Sequence, residues 1–309
     1  MSEQKLEIFN VLNFLNSGYE LEDILKEGNF GTFSSAEECI NYLVEEGYLE
    51  GEFTTATDDE KPILTAEALS KKHTVAELKD LLRKHNLKVS GKKQELIERL
   101  LPVLSELHEK VSPTEEKSQD LKLTEKAKEF LAENDWIDLY MFALVAFRFE
   151  DYETYVENST ADNYETALKF CDEIISRALV ANQFLVFIDA LSAKAHVYAY
   201  YQDYDSFLDY DLQRFILGLN PIVMDAQTYA TYDVINEANV INLKNVVEKL
   251  KITNLKKRFD KIWVKSHISN ITVPKKSCYK ILQKAIDGAD LEELNFDLKE
   301  KYFNKKFGI

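Results

Sequence analysis

"HTVAELKDLLRKHNLKVSGKKQELIERLL", residues 73–101, is the stretch on which the reading of this chain turns. Thr74-Val-Ala-Glu77 has the form of a capping box, in which a hydroxyl and a carboxylate satisfy the free amides of a helix start. Val75, Leu78, Leu81 and Leu82 then recur at helical spacing and give that helix one apolar face. Asn86 stands where a left-handed residue closes the helix, and Leu87-Lys88-Val89 makes a short extended link. Ser90 caps a second helix whose Leu96, Ile97, Leu100 and Leu101 form a second apolar face. Two short helices and a link bury too small a core for stability on their own. What the hairpin offers is a surface: the amides of Gly91, Lys92 and Lys93 open a helix, and Lys88, Lys92 and Lys93 surround them with positive charge.

The charge is out of keeping with the rest of the molecule. The chain of 309 residues has a formal net charge of -16, yet residues 71–101 carry nine Lys and Arg against four Asp and Glu. A second island, 244–284, carries twelve bases and two acids. Everything between and around these islands is acidic, and only a count by segment shows it.

Within the first island, Thr74-Val75-x-Glu77-Leu78-Lys79, Leu82, Leu87-x-Val89-Ser90-Gly91-x-Lys93 and Glu95-Leu96-Ile97-x-Arg99-Leu100 together resemble the SAP motif. That motif is the helix-link-helix DNA-binding module of scaffold attachment factors, Acinus and PIAS proteins. One departure is Asn86, where the family usually has Gly; Asn also tolerates the left-handed conformation. The resemblance implies contact with double-stranded DNA through Lys88, Ser90, Gly91, Lys92 and Lys93, with Arg83 and Lys84 as flanking phosphate contacts. It also implies a protein of the bacterial or phage type and a preference for A·T-rich duplexes.

Length and composition frame the rest. At 309 residues, two or three domains are expected. Hydrophobic residues make up 45%, while 9 Gly and 5 Pro are few, so the composition is globular and leans helical. The opening MSEQKLEIFN has no basic-then-apolar signal pattern. The longest strongly apolar run, 139–147, is too short to span a bilayer. Cys39, Cys171 and Cys278 are odd in number and far apart, which suits a reducing compartment and builds no zinc signature. A cytoplasmic protein without a membrane partner is expected.

Residues 1–70 read as a helical scaffold. Apolar spacing predicts helices over 5–16 and 36–46, and Gly47-Tyr-Leu-Glu50 followed by Ile63-Leu64-Thr65 loosely resembles a winged-helix hairpin. Residues 71–104 are the SAP-like motif. Residues 105–122, containing "VSPTEEKSQD", read as a linker. Residues 123–309 read as a larger helical domain, dense with Trp136, Tyr140, Phe142, Phe147 and Phe149. Residues 190–221 resemble one tetratricopeptide unit and 164–179 a partial echo, without a strict period. The predicted fold class is therefore mainly α, a SAP-like hairpin followed by a helical, tetratricopeptide-like domain.

In the second island Lys256, Lys257, Arg258, Lys261 and Lys265 interleave with Phe259, Ile262 and Trp263. Such a helix either extends a DNA path or neutralises acidic neighbours in its own domain. Catalysis finds little support: no phosphate-binding Gly loop, Walker lysine or His-Glu-x-x-His is present. Asp203, Asp205, Asp209 and Asp211 cluster in sequence but do not all share one helix face, so no metal is expected. The reading is a non-enzymatic DNA-binding protein without cofactors, whose helical domain supports a homo-oligomer or a protein partner. The alternative is an interaction or assembly protein in which the hairpin is structural.

Overall fold

The computed structural model describes residues 2–19, 31–51, 121–221, 232–268 and 271–304, with isolated positions between 21 and 99. The fold is mainly α. Among the described residues, twelve α-helices and two π-helical turns stand against one two-stranded ladder. The chain divides into two compact units, one from residues 10–129 and the other from 1–9 with 130–309.

In the first of these units, the later residues of α1 (Ser2–Asn16) bury Val11 and Leu12. Helix α2 (Ala36–Glu45) begins at Ser35, whose Oγ accepts the Glu38 amide at 3.1 Å, while the Glu38 carboxylate accepts the Ser34 amide at 2.7 Å. The Ser34 hydroxyl, which also donates to this carboxylate, and the Ser34 amide hold the Glu38 carboxyl below its ordinary range. Cys39, Ile40 and Leu43 are its buried face. Gly47, at φ 73°, then reverses the chain so that the Tyr48 amide reaches the Leu43 carbonyl at 2.8 Å. A side chain at that φ would be strained, which is why glycine ends the helix.

The strand that follows, β1 (Leu49–Glu50), pairs antiparallel with β2 (Lys122–Leu123), in register Leu49 to Leu123 and Glu50 to Lys122. The loose winged-helix reading gave residues 47–50 a different partner, Ile63-Leu64-Thr65, which lies outside the described residues. Two residues of strand hold no alternation from which a partner can be read, so the sequence pattern could not find β2. Beyond the ladder, the Thr124 hydroxyl donates to the Gly47 carbonyl at 2.7 Å and the Thr124 amide to the Tyr48 carbonyl at 3.1 Å. Lys126 Nζ donates to the Glu46 carbonyl at 2.5 Å and lies 4.2 Å above the Tyr48 ring. The two ends of 51–121 are thus fastened side by side. From there α3 (Glu125–Glu133) sets out.

The second unit gathers an aromatic cluster first. Helix α4 (Trp136–Leu139) runs directly into a π-helical turn (Tyr140–Leu144), and α5 (Phe149–Glu157) returns over it. Trp136, Tyr140, Phe149, Tyr152 and Phe170 stack and cross at centroid separations of 5.0 to 6.0 Å, and Phe9 closes the cluster. Half-buried Lys5 pairs with buried Glu153 at 3.1 Å beside it.

Three consecutive helices follow: α6 (Asn163–Val180), α7 (Phe184–Tyr200) and α8 (Tyr204–Leu219). Helix α7 packs against both of the others, and its sequence, FLVFIDALSAKAHVYAY, is apolar nearly all round because both sides are covered. With so few glycines, the tight turns between helices rest on Asn182 and Gln202 at φ 57° and 61°.

Four more helices complete this unit: α9 (Glu237–Lys249), α10 (Leu255–Lys265), α11 (Lys275–Ile286) and α12 (Leu291–Leu298), which continues into a π-helical turn (Lys299–Phe303). With α8 they enclose one core around Phe259, Leu282 and Phe303. Two buried asparagines tie its loops. Asn220 Oδ1 accepts the Thr272 and Val273 amides at 2.9 Å each, and Asn295 exchanges two bonds with the backbone of Ile235 at 2.8 and 3.0 Å. Each satisfies backbone groups that burial would otherwise leave orphaned.

Candidate nucleic-acid interface

The apolar positions chosen from the spacing of the SAP-like hairpin are buried where they are described. Leu82 and Leu96 are 0% exposed and Ile97 is 3% exposed. Lys93, Gln94, Leu96, Ile97 and Arg99 are helical, and the Leu96 amide donates to the Lys92 carbonyl at 3.1 Å. Lys92 therefore stands at the opening of the second hairpin helix. Its side chain is exposed and that of Lys93 is half-buried. Arg83, Lys84, Lys88, Ser90 and Gly91 lie outside the described residues, as do the capping box at 74–77 and Asn86.

The second predicted set lies on α10. Arg258 reaches across to α8, where its Nε meets Asp209 at 2.6 Å and one terminal nitrogen meets the Asp205 carboxylate at 2.5 Å. The other terminal nitrogen donates to the Asp205 carbonyl at 2.5 Å. A guanidinium suits this task because its planar fork satisfies several oxygens at once. Lys256 pairs with Asp260 at 2.5 Å, and Lys275 of α11 joins the same carboxylate at 2.8 Å. These ammonium groups, Lys256 first, hold the Asp260 carboxyl below its ordinary range. Lys261 and Lys265 lie farther out, 3.6 and 4.0 Å from Asp209, with exposed side chains. Lys257 is exposed and makes no ion pair among the described residues.

Arg258, with Lys261 and Lys265 farther out, therefore serves an acid-base seam between α8 and α10. Segment counting could not reveal it, because Asp205 precedes Arg258 by 53 residues. The four neighbouring aspartates do separate tasks. Asp203 caps α8 by accepting the Ser206 amide at 3.0 Å, Asp205 and Asp209 hold the seam, and Asp211 is buried at 0% exposure.

Among the described residues the protein is mainly helical, and exposed Lys92 precedes a helical stretch that includes Lys93, Leu96, Ile97 and Arg99. A comparison with protein families then matches residues 71–104 to the SAP domain, so a SAP domain is present in this chain. No curated protein and no solved structure matches the chain. A SAP domain points to nucleic-acid binding in general terms. No described helix is long and apolar enough to cross a membrane.

Proposed function

We propose that this protein binds double-stranded DNA without catalysis, through the phosphate contacts of its SAP domain. The observation that carries the reading is the match of residues 71–104 to that domain, on a basic island of an otherwise acidic chain, with Lys92 at an exposed helix opening. Helix amides and clustered ammonium groups stabilise a polyanion there. By resemblance, Lys88, Ser90, Gly91, Lys92 and Lys93 make the contacts, flanked by Arg83 and Lys84. On α10, the exposed heads of Lys257, Lys261 and Lys265 are placed to add weaker contacts, while Arg258 serves the seam and Lys256 pairs with Asp260 of its own helix.

A single small module of this kind binds weakly and reads little sequence. Added avidity comes from a homo-oligomer or a protein partner held by the helical unit, in which residues 190–221 resemble one tetratricopeptide unit in sequence. Three buried cysteines, joined by no disulfide among the described residues, support a reducing, cytoplasmic setting. The bacterial or phage type rests on the resemblance.

The test is duplex binding by the whole chain, followed by fluorescence anisotropy over a salt series. Lys92→Ala with Lys93→Ala is expected to weaken binding about tenfold at low salt and to lower the salt slope by about 1 to 2, since each phosphate neutralised by a lysine adds roughly 0.9 to that slope. Binding unchanged in that variant assigns the hairpin a structural role and favours the assembly-protein reading, which the full burial of Leu82 and Leu96 also accommodates.

A further inference from the structure

The cations of the helical unit divide into two populations. Those of α10, Lys257 apart, face carboxylates of α8 and of their own helix. Helix α11 carries Lys275, Lys276, Lys280 and Lys284 and no acidic residue at all. Of these, Lys275 is held by Asp260, whereas exposed Lys276, Lys280 and Lys284 make no ion pair among the described residues. They recur every fourth residue, so they form a row along one side of the helix, stepping about 6 Å per interval.

Lys280 and Lys284 also line a cleft of about 190 Å³ between α11 and the end of α12. Lys301, from the π-helical turn after α12, enters from the opposite wall and is likewise exposed, its ammonium 5.2 Å from the neighbouring Tyr302 ring. Ile281, Leu294 and Leu298 give the cleft an apolar floor on which lysine stems can lie while their heads stay in water. Ser277 and Tyr302 contribute hydroxyls to the lining, and Asp297 contributes a carboxylate. That carboxylate makes no ion pair with the three lysines within 4 Å. Three unneutralised cations thus converge on one concavity, in a chain whose net charge is -16.

We infer that this lysine cleft is a second nucleic-acid contact, which takes the phosphate backbone of a duplex without reading its sequence. The inference rests on the DNA-binding reading of the SAP domain. Charge complementarity selects the occupant: a row of ammonium point charges on flexible stems suits a regularly repeating anion such as a phosphate backbone, which it can follow without reading sequence. The cleft supplies what the SAP domain lacks, since a second electrostatic attachment on one chain raises apparent affinity without new sequence information. Lys276, one turn before Lys280, extends the same path.

The test uses the full chain and a labelled random-sequence duplex of about 25 base pairs, read by anisotropy between about 50 and 300 mM salt, the range over which salt competes effectively for phosphates. In Lys280→Gln/Lys284→Gln/Lys301→Gln, the slope of log affinity against log salt is expected to fall by about 2 to 3, at about 0.9 for each phosphate released. Affinity at the lowest salt should fall at least tenfold. The matching triple arginine variant, which keeps the charge, should restore both. A triple glutamine variant with the wild-type slope, alongside a Lys92→Ala/Lys93→Ala variant whose binding is weakened about tenfold, overturns the cleft and leaves the SAP reading standing. The reverse pattern sinks the SAP reading and keeps the cleft. Failure of the arginine variant to restore the slope, at unchanged helix content, assigns the effect to packing and overturns the inference. So does a loss confined to a polyglutamate probe, which would make the occupant an acidic protein.

Discussion

Asp211 sits at the centre of α8 with its side chain fully buried, and neither carboxylate oxygen has a hydrogen-bond partner among the described residues. Asn239 of α9 donates to its backbone carbonyl at 3.3 Å, and Arg214 comes no closer than 3.9 Å. Burial pushes this carboxyl up to about 7, against a smaller opposing pull from Arg214. The folded chain therefore holds the proton more tightly than the unfolded chain, whose carboxyl titrates near the ordinary 3.8. The stability contribution is complete below about pH 4 and is lost as pH rises to about 7. At about 1.4 kcal/mol per pKa unit, full ionisation costs on the order of 4 kcal/mol. Asp211→Asn is expected to flatten that part of the stability profile and to raise the melting temperature at pH 8 while leaving it little changed at pH 4. Thermal unfolding monitored by circular dichroism at the two pH values checks this. An equal shift at both would show that ionisation is not the cause.

At the scale of elements, the seam between α8 and α10 is the clearest case of charge used for architecture. Arg258 is 20% exposed and Asp209 19%, so their bonds are sheltered from solvent, while Asp205 is 70% exposed and contributes less. Arg258→Ala removes three bonds and leaves Asp209 half-buried without its fork. The expected loss is about 1 to 2 kcal/mol, below the full value for charged hydrogen bonds because one partner is solvated. Arg258→Lys should recover only part, since an ammonium cannot span both carboxylates. Denaturant titration reads both variants; an unchanged midpoint in the alanine variant would show the seam to be decorative. The contrast with α11 follows from what each helix faces. Helix α10 packs against a neighbour carrying Asp205 and Asp209, whereas the side of α11 that bears Lys280 and Lys284 opens onto the cleft.

For the whole molecule, what could be read in the sequence followed from how local the cause was. Apolar spacing placed α1 and α2 within a few residues of their ends, because a helix face is written in consecutive turns. The SAP domain was equally legible, since its signature lies in one unbroken stretch. Features that join distant segments were not. The partner of β1 lies 74 residues along the chain from Leu49, the counter-ions of Arg258 are about as hidden, and the cleft needs a lysine from beyond α12. Neither π-helical turn announced itself, because an extra residue within a helix leaves no mark on composition.

The two-rung ladder also has a mechanical meaning. Tension applied at positions 51 and 121 reaches Glu50 and Lys122, which form the same end rung of both strands, so it peels the rungs in turn and does not shear them together. Such a joint yields at low force, and resistance then passes to Thr124 gripping Gly47 and Tyr48. In an optical trap with handles at positions 51 and 121, Thr124→Ala should yield earlier than the parent chain.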